Sequence, residues 1–216
     1  YTVDLVCHGT PSPMLWKKYL DFQQDKHKSR VKKVSFRSKV YGYHSGGMMQ
    51  IEFANGKQYC ASARVDYMLK SFFKEIASRP ICYECPFKKI ERNSDLTVYD
   101  CWHFSELVDG KLDDDNGYTN VIIQSEQGRQ LLIKLENRIE LYKIDLHKAI
   151  KLDGVMIQKS AIPHPDRDKF YVGCKNKTIA EMVDQVIPVT RKDYMVEMVK
   201  QCLYRTGILQ KIKNRK

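Results

Sequence analysis

The sequence predicts an α+β fold: a central mixed sheet with an antiparallel hairpin, flanking helices and a helical C-terminal extension. Three observations predict it. Met49, Ile51 and Phe53 alternate with polar neighbours, and Asn55-Gly56 turns the chain back into KQYC, the pattern of a hairpin. Val65, Met68, Leu69, Phe72, Phe73 and Ile76 recur at the spacing of one helical face. Strand-like runs are interspersed with helical ones along the rest of the chain, which calls for mixed rather than pure layers.

The elements follow in order. TVDLVC (residues 2–7) reads as a buried strand. Ser12 is a good helix cap with Pro13 at the first helical position, where a missing N–H costs nothing. Leu15, Tyr19 and Phe22 then carry a helix to about residue 24. Residues 31–60 read as antiparallel β, Val34 and Phe36 alternating ahead of the hairpin. After the helix at 65–76 comes RPICYECPFKKIERNSDLTVYDCWH, the least ordinary stretch of the chain, in which LTVYD reads as a short strand. An Asp-rich loop, KLDDDNG, precedes a strand at 119–125, a helix over about 127–137 and a short strand near residue 140. The C-terminal quarter reads as helical. Ile179, Met182, Val183 and Val186 form one stripe, and Thr190 with Asp193 resembles a capping box opening a helix that Gly207 is placed to end. Cys202 continues the apolar face of Met195, Met198 and Val199 and reads as structural, as do Cys60 and Cys174. The expected division is a core over 1–160 and a helical extension over 161–216 packed on it.

Length and composition set the class. At 216 residues, 43% hydrophobic and 11% aromatic, the chain buries a real core. It holds no apolar run long enough to span a membrane and opens directly on a strand rather than on a signal peptide or an initiator Met, so the reading is a piece of a longer soluble protein. Net charge is +11, and it is localised. Residues 26–39 carry seven Lys or Arg and residues 200–216 six more, with no acid in either stretch. Such patches suit nucleic acid, acidic lipid or an acidic protein, or are simply solvated. The aromatic interleaving of single-strand binding is thin, and nucleic acid is not the expected partner. Seven cysteines, an odd number, argue for a reducing cytoplasm rather than a secreted disulfide framework.

Cys82-x-x-Cys85-Pro86 is the strongest local motif, since two thiolates at that spacing can chelate one metal or cluster. It lacks a second C-x-x-C. Cys7, at a strand end, is the best third ligand, and Cys101 or His103 the fourth. Structural cysteines, zinc and an iron–sulfur cluster all remain open on the residues alone. His8-Gly9-Thr10 makes either a tight turn or a close backbone approach to a cofactor. Asp113-Asp114-Asp115-Asn116 lacks the calcium-loop pattern and reads as a solvated loop. No motif of a serine hydrolase, zinc protease or nucleotide triphosphatase is present.

Three stretches in order, VDLVCHGTPSPMLWKKYL, RPICYECPF and RNSDLTVYDCWH, resemble the C-terminal region of the coenzyme F420 hydrogenase/dehydrogenase beta-subunit family over roughly residues 1–210. The resemblance is to the gut-bacterial branch often found near polysaccharide-biosynthesis genes. It implies an iron–sulfur flavoprotein oxidoreductase passing electrons between a reduced (deaza)flavin or ferredoxin and an acceptor. The implied cluster is [4Fe–4S], held by Cys7, Cys82 and Cys85, with Cys101 as a substitute ligand or the fourth ligand in an N-terminal half. His8, Gly9, Thr10, Arg92, Asp95 and Asp100 are the implied cofactor-binding positions. The implied partner is a ferredoxin-like domain or protein as electron donor, docking on the basic stretch 26–39. The family's G-D-F-W-G stands here as Tyr99-Asp100-Cys101-Trp102-His103. Both glycines are gone, which counts against FAD and more strongly against coenzyme F420. The competing expectation is a non-catalytic module for an acidic protein or nucleic acid, with a structural zinc or no metal.

Overall fold

The computed structural model describes residues 1–45 and 47–206. In chain order the elements are β1 (Val3–Leu5), α1 (Pro13–His27), β2 (Val31–Ser38), β3 (Met48–Phe53), β4 (Gln58–Ser62), α2 (Tyr67–Phe73), α3 (Pro80–Tyr83) and β5 (Leu96–Cys101). They continue with α4 (Phe104–Leu107), β6 (Tyr118–Ile123), α5 (Glu126–Leu135), α6 (Leu146–Asp153), α7 (Val155–Gln158), α8 (Arg167–Tyr171), α9 (Ile179–Asp184) and α10 (Arg191–Arg205). The class is α+β, as the sequence predicts. The strands form two three-stranded sheets, however, so the hairpin belongs to a sheet of its own and not to the mixed one. Among the described residues no helix is long and apolar enough to cross a membrane.

The chain divides into two compact units, each built from separated stretches: residues 1–9 with 80–161, and 10–79 with 162–216. One boundary falls beside the break expected near residue 160. The breaks at 9/10 and 79/80 have no counterpart in the sequence reading.

The first unit holds the mixed sheet, in the order β1-β5-β6. β1 runs parallel to β5, Val3 opposite Leu96 and Leu5 opposite Val98, and β6 runs antiparallel to β5, Cys101 opposite Tyr118. One face packs Tyr99 and Ile122 against Ile157 of α7, with Ile150 of α6 alongside. Ser125 caps α5 by accepting from the Gly128 N–H at 3.0 Å. Gly128 is required there: a Cβ would stand 2.3 Å from the Asp95 carbonyl oxygen. Residues 140–145 form no strand. Their backbone finds no ladder partner, and Ile139, Leu141 and Ile144 line a cavity along the outer edge of β6 instead.

The second unit holds the antiparallel sheet β2-β3-β4 and the larger core. Ser12 caps α1 and Lys28 ends it in the left-handed conformation. Gly56, at φ +81°, makes the expected β3–β4 turn. Leu15 and Tyr19 of α1 meet Met49 and Ile51 of β3, Met68 and Leu69 of α2, Phe170 of α8, and Ile179, Met182 and Val183 of α9. The C-terminal helices therefore complete this core. A bulge between Val31 and Lys33 breaks the alternation of β2 and turns both Lys32 and Lys33 outward. α10 opens with the expected capping box, Thr190 with Asp193. Gly207, expected to end it, lies outside the described residues.

Asp66 ties the second unit together. It caps α2 by accepting from Leu69 N–H at 2.8 Å, and its other oxygen accepts from the hydroxyls of Tyr19 (2.6 Å) and Tyr59 (3.0 Å). Burial pushes its pKa up to about 6, against the lowering effect of those hydrogen bonds. The folded state thus keeps a proton that the unfolded chain, at 3.8, has released. Stability from this group is full below pH 4 and is lost as pH rises through about 6, a difference of about 3 kcal/mol. Asp66→Asn keeps a cap and removes the titration. Urea melts should show wild-type stability falling relative to Asp66→Asn between about pH 4 and 7; parallel pH profiles would refute this account.

Candidate functional site

In the first unit, Lys88 ties the strand end that carries Cys7 to α7. The Val6 N–H still bonds the Val98 carbonyl at 2.9 Å, so Cys7 leaves the sheet one residue later, at the C-terminal end of a parallel pair. Cys82 stands in the single turn of α3. Cys85 follows it, its N–H donating to Ser160 Oγ at 3.2 Å. The Lys88 ammonium donates to the carbonyls of Cys7 (2.6 Å) and Met156 (2.8 Å). Burial holds its pKa below the ordinary lysine value, while Cys85, Cys7 and Cys82 act in the opposite direction. Beside them lies a cavity of about 400 Å³ lined by Asp4, Leu5, Cys7, Cys85, Lys88 and Arg92 among others.

Arg92 is fixed at this cavity. Its Nη1 donates to Asp4 Oδ2 at 3.0 Å and its Nε to the Lys89 carbonyl at 3.1 Å. Partial burial raises the Asp4 pKa, but hydrogen bonds from Thr97 and Arg92 outweigh it and hold the carboxyl below its usual range. Asp95 does different work. Its oxygens accept from Ser125 Oγ (2.5 Å), Thr2 N–H (2.7 Å) and Thr2 Oγ1 (3.1 Å), which pins β1 and the cap of α5. The Ser125 and Thr2 bonds hold its carboxyl below the usual range. Asp100 is exposed on β5, and its carbonyl accepts from Asn120 Nδ2 at 3.3 Å. His8 and Gly9 are half-buried after Cys7; Thr10 opens the second unit, where its carbonyl accepts from Arg79 N–H.

Cys101 is not with the other three. It is 3% exposed, and burial, with the charges of Asp153 and Asp113, pushes its pKa up to about 11. It lines a second, largely apolar cavity of about 770 Å³ with Tyr99, Phe104, Tyr118 and Tyr142. Close by, His103 Nδ1 meets Asp153 Oδ1 at 2.6 Å. The Asp153 side chain is fully buried and also accepts from the His103 backbone N–H at 3.3 Å.

Sequence reasoning missed Lys88, Ser160 and Asp153. Lys88 sits in CPFKK, directly after the motif, and the basic pair is the signal that was available. Asp153 offers none, because its partner lies 50 positions away.

Fold and site together define an α+β domain with a cysteine-bearing surface at the end of a parallel strand pair. A sequence model of the C-terminal region of the coenzyme F420 hydrogenase/dehydrogenase beta subunit matches residues 1–148, and the chain belongs to that family. It is thus a C-terminal domain of an oxidoreductase of the beta-subunit type. The matched span contains all three motifs and ends short of residue 210. A search of curated proteins finds no match.

Thiolates are the donors that an iron–sulfur cluster takes, and Cys7 and Cys85 border the same cavity. Among the described residues no three His, Cys, Asp or Glu side chains stand together at metal-holding spacing. A flavin fits less well. Tyr99 and His103 occupy the two positions of the missing glycines; Tyr99 is 4% exposed in the core and His103 is tied to Asp153.

His103→Ala strands part of a buried carboxylate. Unfolding free energy should fall by about 1–3 kcal/mol in urea melts. The double variant with Asp153→Ala should lose less than the sum of the two single losses. Additive losses would show that the pair does not act as a unit.

Proposed function

We propose that this chain is the cluster-holding part of an electron-transferring oxidoreductase, with Cys7, Cys82 and Cys85 as three ligands of a [4Fe–4S] cluster and the fourth from outside these residues. The observation that supports this reading is that Cys7, at the strand end, and Cys85, of the C-x-x-C motif, line one cavity with Arg92, with Lys88 bonded to the Cys7 carbonyl. When bound, such a cluster supplies one-electron transfer. The protein's own contribution is electrostatic and positional. Lys88, held by two carbonyls, offsets the negative charge of deprotonated sulfurs, and Arg92, pinned by Asp4, adds a second fixed positive charge. Ser160 orients the backbone at Cys85. The basic stretch supports a further part of the proposal, an acidic ferredoxin-like electron donor: Lys26, Lys28, Arg30, Lys32, Lys33 and Lys39 are all exposed. The filled positions at Tyr99 and His103 favour a second reading, a non-catalytic module for an acidic partner, in which the cysteines hold zinc or nothing.

Iron, acid-labile sulfide, zinc and flavin measured on anaerobically purified protein separate the two. The cluster reading expects iron with sulfide, lost in Cys7→Ser and in Cys82→Ser while circular dichroism stays unchanged, and retained in Cys101→Ser. Zinc alone, no metal, or iron that survives loss of both Cys7 and Cys82 would sink it.

A further inference from the structure

An unpaired strand edge is a template for another chain, and folded proteins blunt it with charge, bulges or cover. Among the described residues, three of the four sheet edges are blunted in this way. β2 carries a bulge and the exposed Lys32 and Lys33. β4 lies under α10, where Glu197 accepts from the Ser62 N–H and Gln201 donates to the Cys60 carbonyl. β1 is three residues long, and Arg92 Nη1 donates to its Leu5 carbonyl at 3.5 Å. β6 differs. Its six residues, YTNVII, pair with β5 in unbroken register and include no charge and no proline. Among the described residues its main chain has no hydrogen-bond partner besides β5.

The cavity of about 770 Å³ runs along that edge. Its walls include Asn120 and Ile122 from one face of β6 and Val121 and Ile123 from the other, so it follows the strand's outer side. Leu141 and Ile144 also line it, and the main chain of residues 140–144 likewise has no hydrogen-bond partner among the described residues. Alternate residues of β6 therefore turn N–H and C=O groups into a largely apolar slot rather than onto a ladder.

Those unpaired groups decide what suits the slot. Extended polypeptide meets both the apolar walls and the main chain, whereas a small apolar molecule would leave the N–H and C=O groups unmade. A second copy of this chain fits poorly, because its own 140–144 segment would stand beside its β6. Charge sets the orientation. Gly117 lines the slot directly after Asp113, Asp114 and Asp115, which gathers acid at the N-terminal end of β6. An antiparallel guest brings its C-terminal end there, where basic residues are complementary.

We propose that β6 takes up an extended apolar segment of another protein as a fourth, antiparallel strand of this sheet, with basic residues at the segment's C-terminal end. The proposal goes beyond the cluster reading and uses none of Cys7, Cys82 or Cys85, so its test does not depend on iron content.

The experiment is fluorescence anisotropy of the full chain with a short labelled peptide of alternating valine and threonine ending in two lysines. The proposal expects saturable binding, weakened about tenfold or more by N-methylation of one of the peptide's two alternating sets of amides, which removes main-chain donors and keeps the side chains. Val121→Lys puts a charge beside the edge on an exposed position and should weaken binding to a similar extent, while its thermal melt matches wild type. Amides of β6 should exchange more slowly with the peptide bound. Five results would overturn the proposal: no binding, equal binding of the parent and both N-methylated peptides, equal binding of a peptide ending in two glutamates, binding indifferent to Val121→Lys, or self-association of the chain that Val121→Lys abolishes.

Discussion

The first unit depends on one tethered cation. Lys88 reaches from the turn after C-x-x-C to carbonyls at the end of β1 and in α7, three stretches that share no regular hydrogen-bond ladder at that point. A lysine suits the task because a compact ammonium on a long stem offers several donors at one place. Burying it costs solvation, and the bonds to the two carbonyls offset part of that cost. The same interaction fixes where Cys7 sits relative to Cys85. Structure and candidate chemistry therefore meet at one side chain, which joins the strand end directly to the turn after C-x-x-C.

The YDCWH segment is packed into the first unit's core at one end and ion-paired at the other. Two glycines in a strand-to-helix turn leave backbone exposed to a flat ligand. Here Tyr99 packs against Ile122 and Ile157, and His103 closes on a buried carboxylate. In exchange for two small residues, Tyr99 adds contacts to the unit's small core and His103 adds an ion pair. Cys101 goes with the packed side of that exchange. Its raised thiol pKa fits a buried group better than a ligand poised to deprotonate.

Local signals in the sequence translated well. Ser12 with Pro13, Asn55-Gly56 and Thr190 with Asp193 each act within a few residues, and each forms the cap or turn that its chemistry specifies. Periodicity located the helical stripes and the strands β5 and β6. It could not assign partners. The alternation near residue 140 is real, yet the segment forms no strand, and its apolar side chains line a cavity instead. The separation into two sheets was invisible for the same reason, because pairing is a property of distant strands. In the candidate site, the C-x-x-C spacing was legible, whereas the contacts of Lys88 and Asp153 were not, being made by long-range packing that leaves no spacing rule behind.

α10 marks the limit of pattern reading most clearly. The stripe Met195, Met198, Val199, Cys202 is where periodicity puts it, and a stripe ordinarily means burial. The helix faces the other way because its opposite side makes a complete set of polar bonds to β4 and to Arg64 and Lys70. Those bonds satisfy the Ser62 N–H and the Cys60 carbonyl, groups of a strand at the sheet's edge that an apolar cover would leave without partners. Unmade, each would cost about 1–3 kcal/mol, comparable to what burying one Met or Val returns. The helix orientation is thus set by the needs of the strand beneath it. The apolar face is what remains, held rigidly outward, and a surface so held loses little entropy on meeting a partner.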